Sequence, residues 1–265
     1  MKHIAVRASS VRRPMPYTTP GLGDRLHSVL FAYNYSISHN TPVTLHLTDD
    51  KWNYSKDSRN DMKIRSWREI LGLLPSGHVS VEAHDTMGYK DEPSWIQYLK
   101  DKGINASEYW YSDYPGSRET KKEIDASEYM GIYPQIKPIV NDIDLPKKFV
   151  TLQFDSNNVS AFEDNPEDAR KIPPRLIKKL CDNLKEKGYD IIFVGGDAED
   201  ERFKILKYAG YAMSKAKYHF GADSGFYHLA SYYMRPESIR IITKGVFRSH
   251  HILRAVNHNV SVRRI

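Results

Sequence analysis

Two glycine-centred turns, set about 200 residues apart, constrain this chain more than any other feature. The first is Gly21-Leu22-Gly23-Asp24-Arg25-Leu26, which runs into Leu26, Val29, Leu30, Tyr33 and Ile37 at helical spacing. The second is Gly221-Ala222-Asp223-Ser224-Gly225, followed by Phe226-Tyr227-His228-Leu229-Ala230. Glycine lets backbone approach a ligand closely, and a helix N-terminus offers N–H groups and a partial positive charge. One such turn is commonplace. Two of them, one near each end of a chain in which strands and helices alternate, predict two nucleotide-fold halves facing a shared cleft. One half would hold a phosphate-bearing ligand and the other a reacting group.

The alternation supports this. His3 to Arg7 reads as a strand, and residues 8–20 form a basic loop broken by Pro14, Pro16 and Pro20. The first helix then runs to His39-Asn40, and Pro42 to Leu47 alternates as a second strand. This order of strand, glycine turn, helix and strand opens a doubly wound sheet. Further on, the sequence predicts a helix over 67–74, a strand over 78–82 and a helix over 95–102, with 105–135 irregular. Pro134 to Pro146 reads as a linker, which gives domains 1–145 and 146–265. Beyond it come a strand over 149–154, a helix from Arg175 to Lys187 opened by Pro173 and Pro174 and closed by Gly188, and a strand over 189–194. A helix over 199–208, a strand over 217–220, a helix to Met234 and a strand over 238–243 complete a second doubly wound unit. The segment 246–265 is expected to return to the N-terminal half.

Composition narrows the partners only loosely. The 39 Lys and Arg against 33 Asp and Glu leave a net charge of +6, which favours anionic partners without choosing among nucleotide sugars, nucleic acid and membrane surfaces. Most of the 18 tyrosines are packing residues, and some suit carbohydrate or nucleobase contacts. The lone Cys181 allows no internal disulfide and sits on the apolar face of a helix, so it reads as buried and inert. No apolar run of about 18 residues is present. The N-terminal residues are too interrupted for a signal peptide, so a reducing, cytoplasmic setting is expected. The 11 histidines are scattered, and His250-His251 are adjacent rather than spaced for one helix face. Asp142-Ile143-Asp144 has an Asp-x-Asp form but falls in the linker. No metal site is expected.

Four patches carry a family resemblance: Gly21-Leu22-Gly23-Asp24; Arg170-Lys171-Ile172-Pro173 ahead of a helix; Ile191-Ile192-Phe193-Val194-Gly195-Gly196-Asp197; and Gly221 to Gly225 with His228-Leu229-Ala230. In order and spacing they resemble the GT-B glycosyltransferases, specifically the heptosyltransferase group of family 9. The resemblance implies two Rossmann-like domains, an acceptor-binding one first and a nucleotide-sugar-binding one second. It also implies a metal-independent enzyme that moves a sugar from a nucleotide-diphosphate sugar, a co-substrate rather than a cofactor, to a hydroxyl of a glycan, lipid-glycan or other anionic acceptor.

Asp24 would take the proton from the attacking hydroxyl, with inversion at the anomeric carbon. Read from the residues alone, an aspartate ahead of a helix also serves as an N-cap. Gly23, Arg25, Arg12 and Arg13 would stand on the acceptor side; the arginines are equally at home on a solvated surface. Asp223, Ser224 and Gly225 would hold the donor diphosphate through the helix N-terminus, and His228, one turn on, would either assist or pack. Arg170 or Lys171 would offset the charge that builds on the leaving group, and Gly195 and Gly196 would approach the nucleoside.

Three other readings stay open. The same chemistry on a hydroxymethylated base would make DNA the acceptor. A fucosyltransferase-like enzyme shares Gly-Leu-Gly-Asp-Arg-Leu, but Gln153-Phe154-Asp155 stands where a basic motif is expected. A non-catalytic protein would bind nucleotide sugar or glycan without turnover.

Overall fold

The computed structural model describes residues 1–5, 22–48, 67–84, 92–110, 124–125, 136–140, 143–155, 172–222, 224–243 and 261–264. The chain divides into two compact units, Met1–Ile132 and Tyr133–Ile265.

The first unit contains β1 (Lys2–Ala5), α1 (Leu22–His39), β2 (Val43–Thr48), α2 (Trp67–Leu71), β3 (Val79–His84), α3 (Glu92–Asp101), β4 (Ser107–Trp110) and β5 (Ile124–Asp125). Its sheet runs β3-β2-β1-β4-β5 with every pair parallel. Parallel neighbours cannot be joined by a hairpin, so the chain crosses over through helices that cover the sheet. Leu26, Val29 and Leu30, at helical spacing on α1, are buried, as are Ile4, Val43 and Leu45 of the strands. Asn40, with φ 47°, ends α1 in the left-handed conformation that asparagine tolerates. Residues 105–135, read from sequence as irregular, contain β4 and β5. Both are short, and their polar and aromatic residues show no alternation. The helix α1 begins at Leu22, so Gly23, Asp24 and Arg25 lie inside its first turn. Asp24 is therefore not the residue that precedes the helix.

The second unit contains β6 (Phe149–Gln153), α4 (Pro174–Glu186), β7 (Asp190–Phe193), α5 (Leu206–Lys215), β8 (His219–Gly221), α6 (Gly225–Tyr233), β9 (Ile239–Thr243) and β10 (Ser261–Arg264). Its parallel sheet runs β10-β9-β8-β6-β7. Every residue of β6 is buried. Val150, Leu152, Phe154, Ile172, Leu184 and Ala222 form a core against which Leu176, Ile177, Leu180 and Cys181 of α4 pack. Cys181 is half-buried rather than fully buried, and burial pushes its thiol pKa up. Pro174 opens α4, and Gly188, with φ +73°, follows its end. Ile136 donates its N–H to the Tyr232 carbonyl at 3.1 Å, and Ile136 and Ile143 are buried.

One expectation is corrected here. The helix read over 199–208 is a 3-10 turn, Glu201–Lys204, followed by α5. Asp200 caps the turn by accepting the Arg202 N–H, and the extended backbone of Ile205 separates the two. At the end of the segment 246–265, Ser261–Arg264 pairs in parallel with β9. Residues 246–260 lie outside the described residues. Among the described residues no helix is long and apolar enough to cross a membrane.

His219 carries a consequence for stability. Its ring lies fully buried on β8, with Nδ1 3.0 Å from the Thr151 hydroxyl. Its Nε2 has no hydrogen-bond partner among the described residues. Burial pushes this imidazole down to about 3. In the unfolded chain the group titrates near 6.5, so unfolding takes up a proton at pH values between the two. The native state therefore keeps the full contribution above about pH 6.5 and loses it as the pH falls towards 3. At pH 5 the expected loss is about 2 kcal/mol. Urea unfolding between pH 5 and 8 should show this slope in the wild type and a flatter one in His219→Asn. Equal slopes would remove His219 from the account.

Candidate functional site

In the second unit the strand order reverses between β6 and β8. At such a point the crossovers leave the sheet on opposite faces, and open α/β sheets bind ligands outside the carboxyl ends of the strands there. Gln153, the last residue of β6, is paired in register with Gly221, the last of β8. A Cβ at Gly221 would lie 2.9 Å from the Gln153 carbonyl oxygen, so this close pairing requires glycine.

Three turns meet at that edge. Ser224 caps α6: its Oγ accepts the Phe226 N–H at 3.2 Å and donates to Gln153 Oε1. The same glutamine donates from Nε2 to the Asp155 carbonyl. The Asp197 carboxylate accepts the backbone N–H groups of Phe154 and Asp155, the latter at 2.8 Å. It thereby ties the turn after β7 to the end of β6. Burial, and then the Asp197 charge, raise the Asp155 pKa.

Two glycines make the junction sterically possible. Gly195 has φ +75°, and a Cβ there would meet the Phe226 ring at 2.9 Å and Gln153 Cγ at 3.2 Å. A Cβ at Gly196 would meet Asp155 Oδ2 at 2.1 Å. The result is a strip of close-packed backbone, two carboxylates and a helix N-terminus. Such a strip suits an anion at the helix start and hydroxyl groups at the carboxylates.

Gly195, Gly196, Ser224 and Gly225 thus come together. His228 lies one turn into α6, only 3 % exposed, with its ring centroid 4.0 Å from that of Tyr227. Asp223, Arg170, Lys171, Arg12 and Arg13 lie outside the described residues. Gly23, Asp24 and Arg25 belong to the other unit, on the first turn of α1. Sequence reasoning missed Gln153 and Asp155 as site residues and named Asp197 only as part of the glycine turn. The signal was present: polar side chains at or just beyond the ends of the buried strand β6 and its neighbour β7, at one edge of a parallel sheet. Among the described residues one trio offers metal-ligand types at coordinating range, His46, Glu82 and His84 of the first unit, and none of the expected donor-side residues belongs to it.

No protein-family model and no curated protein sequence matches this chain. Solved structures do. The ADP-heptose lipopolysaccharide heptosyltransferase II of E. coli matches with a TM-score of 0.54 at 14 % identity, over 100 % of this chain and 91 % of that one. The family 9 glycosyltransferase of Veillonella parvula DSM 2008 matches with a TM-score of 0.54 at 12 % identity, over 100 % and 86 %. This chain has the GT-B glycosyltransferase fold. A third match, the iron-containing dodecameric glycosyltransferase TibC of enterotoxigenic E. coli H10407, has a TM-score of 0.45 at 16 % identity; 85 % of this chain aligns, and it spans only 56 % of that protein. Within the GT-B fold of this chain, the two parallel sheets differ in strand order: counted within each unit, 3-2-1-4-5 in the first and 2-1-3-4-5 in the second. Each unit therefore has its own point of reversal, between β1 and β4 and between β6 and β8.

Proposed function

We propose that this protein is a glycosyltransferase that moves a sugar from a nucleotide-diphosphate sugar to an acceptor hydroxyl. The observation that carries the reading is the junction of Gln153, Gly195-Gly196 and the Ser224-capped start of α6 at the β6/β8 reversal, within a fold that heptosyltransferases share. A diphosphate fits the helix N-terminus, where backbone N–H groups and the dipole favour negative charge without a metal. Arg170 or Lys171, just ahead of α4, would add positive charge as the leaving nucleotide gains negative charge. Asp155 and the glycine turn would meet the nucleoside.

The acceptor would be a glycan or lipid-glycan hydroxyl bound by the N-terminal unit, with Arg12, Arg13 and Arg25 offsetting its charge. Asp24 would remove the hydroxyl proton as the oxygen attacks the anomeric carbon. A single displacement inverts the configuration there, so a product of retained configuration would refute this step.

The test is a titration of the protein with ADP-, GDP- and UDP-sugars, read by thermal shift and by sugar release. One nucleotide class should stabilise the protein. Ser224→Ala removes the N-cap and the bond to Gln153, which costs about 1 kcal/mol of stability. It should weaken binding of that nucleotide by about two- to tenfold. Stabilisation by none of them would overturn the reading.

A further inference from the structure

The first sheet carries a polar face that the glycosyl-transfer reading does not use. β-strand alternation puts residues two apart on one side of a sheet. His46 on β2 is paired in register with Glu82 on β3, and His84 lies two residues beyond Glu82. On the other side of β2, His46 pairs with Ala5 of β1, which puts His3, two residues earlier, on the same face. Three histidines and one glutamate thus line one face across three neighbouring strands. His46 is fully buried, His84 is 8 % exposed, and the Glu82 side chain is 54 % exposed. The ring of Tyr98 from α3 closes edge-on against His84, with centroids 5.7 Å apart.

The distances are those of a ligand set. His46 Nδ1 and His84 Nε2 stand 2.9 Å apart. Glu82 Oε2 is 3.7 Å from the first nitrogen, and Oε1 is 3.6 Å from the second. Donors held about 2.1 Å from one ion at angles of 90–110° stand about 3.0–3.4 Å apart, so shifts of a few tenths of an ångström seat an ion among all three. The imidazole of His46 is fully buried. A neutral ring presents the lone pair that a metal needs. Its other nitrogen, Nε2, lies 2.9 Å from His3 Nδ1. In the tautomer in which Nε2–H donates to His3, Nδ1 faces the trio with its lone pair. A hydrogen bond on the far nitrogen of a ligating histidine is the usual support of such a ligand.

We propose that His46, Glu82 and His84 form a binding site for a divalent transition-metal ion, with His3 as the residue that orients His46. Two imidazoles and one carboxylate select ions of the zinc and iron type over magnesium or calcium. Three protein ligands leave a coordination position open, on the side where exposed Glu82 meets solvent. The competing arrangement is a metal-free chain, in which His46 Nδ1–H donates to His84 Nε2 and Glu82 stays in water.

The experiment uses the full chain without a histidine tag. The protein is stripped with chelator, dialysed against zinc and assayed for bound metal, and the affinity is measured by competition with a chromophoric chelator. Cobalt(II) loading adds a visible spectrum that reports nitrogen and oxygen ligation. The wild type should hold one zinc in this site. Glu82→Gln, at an exposed position that leaves the core intact, should bind at least about tenfold more weakly, and His84→Asn at least about a hundredfold more weakly with loss of the cobalt bands. Circular dichroism checks that each variant is folded; if His84→Asn is not, Glu82→Gln decides. A wild type that retains no zinc, or a folded Glu82→Gln that binds as tightly as wild type, overturns the site and leaves the metal-free histidine chain.

Discussion

Gly195→Ala is expected to destabilise the second unit by about 2–6 kcal/mol and to abolish nucleotide-sugar binding. Two costs add. A Cβ residue at φ +75° stands in the left-handed region, which costs about 1–3 kcal/mol away from glycine. The new methyl also stands 2.9 Å from the ring of Phe226, in the first turn of α6, and 3.2 Å from Gln153 Cγ. Neither neighbour yields easily. Phe226 is buried at 3 %, and Gln153 is held at both ends, by Ser224 and by the Asp155 carbonyl. Overpacking of such a contact costs a further 1–3 kcal/mol or about that. Gly196→Ala makes the comparison sharp. Its Cβ would come closer, 2.1 Å, but to the free end of the Asp155 carboxylate, which can swing away. Urea unfolding should therefore rank Gly195→Ala well below Gly196→Ala in stability. The reverse ranking would mean that the backbone of residue 195 relaxes without penalty.

Asp24→Asn should lower the rate of sugar transfer by about 10²–10⁴-fold while leaving the fold intact, if Asp24 is the proposed base. The residue lies on the first turn of α1. Asparagine keeps the size and the hydrogen-bonding capacity and removes the basicity. Turnover should fall with the affinity for donor unchanged, since the donor site is assigned to the other unit. A melting temperature that drops while turnover stays the same would make the residue a stabiliser of the helix start and nothing more.

How much of this was legible in the sequence depended on the reach of each signal. Local periodicity found β1, α1, β2 and the α4–β7 unit, because buried apolar residues recur along a single element and Pro174 and Gly188 mark its ends. It misplaced α5 because Gly210 interrupts the helical pattern. The structure gives the reason for that glycine: a Cβ there would meet the Tyr233 ring of α6 at 2.5 Å. Close helix packing wrote a residue that reads locally as a helix breaker. Likewise, Gly195, Gly196 and Ser224 were visible as turn residues. The partners of Gln153 and Asp197 were not, since Asp197 meets the end of β6 from 42 and 43 residues away and Gln153 meets Ser224 from 71. The histidine trio was hidden for the same reason. A search for ligands on one helix face sees nothing in His46, Glu82 and His84, and only the strand register brings them together. The pairing of β10 with β9 is also non-local, so residues 261–264 carried no local sign of the sheet they join.

That last pairing has a bearing on solubility. Ile239-Arg-Ile-Ile-Thr243 is a short segment rich in β-branched residues, the composition that most readily recruits a strand from another molecule. In the folded chain its outer row of peptide groups is already taken by Ser261–Arg264. The strand left at the sheet margin ends in Arg263 and Arg264, and charge at a margin discourages further pairing. Ser261–Arg264 thus covers an edge of β9 that would otherwise be open to pairing with another molecule.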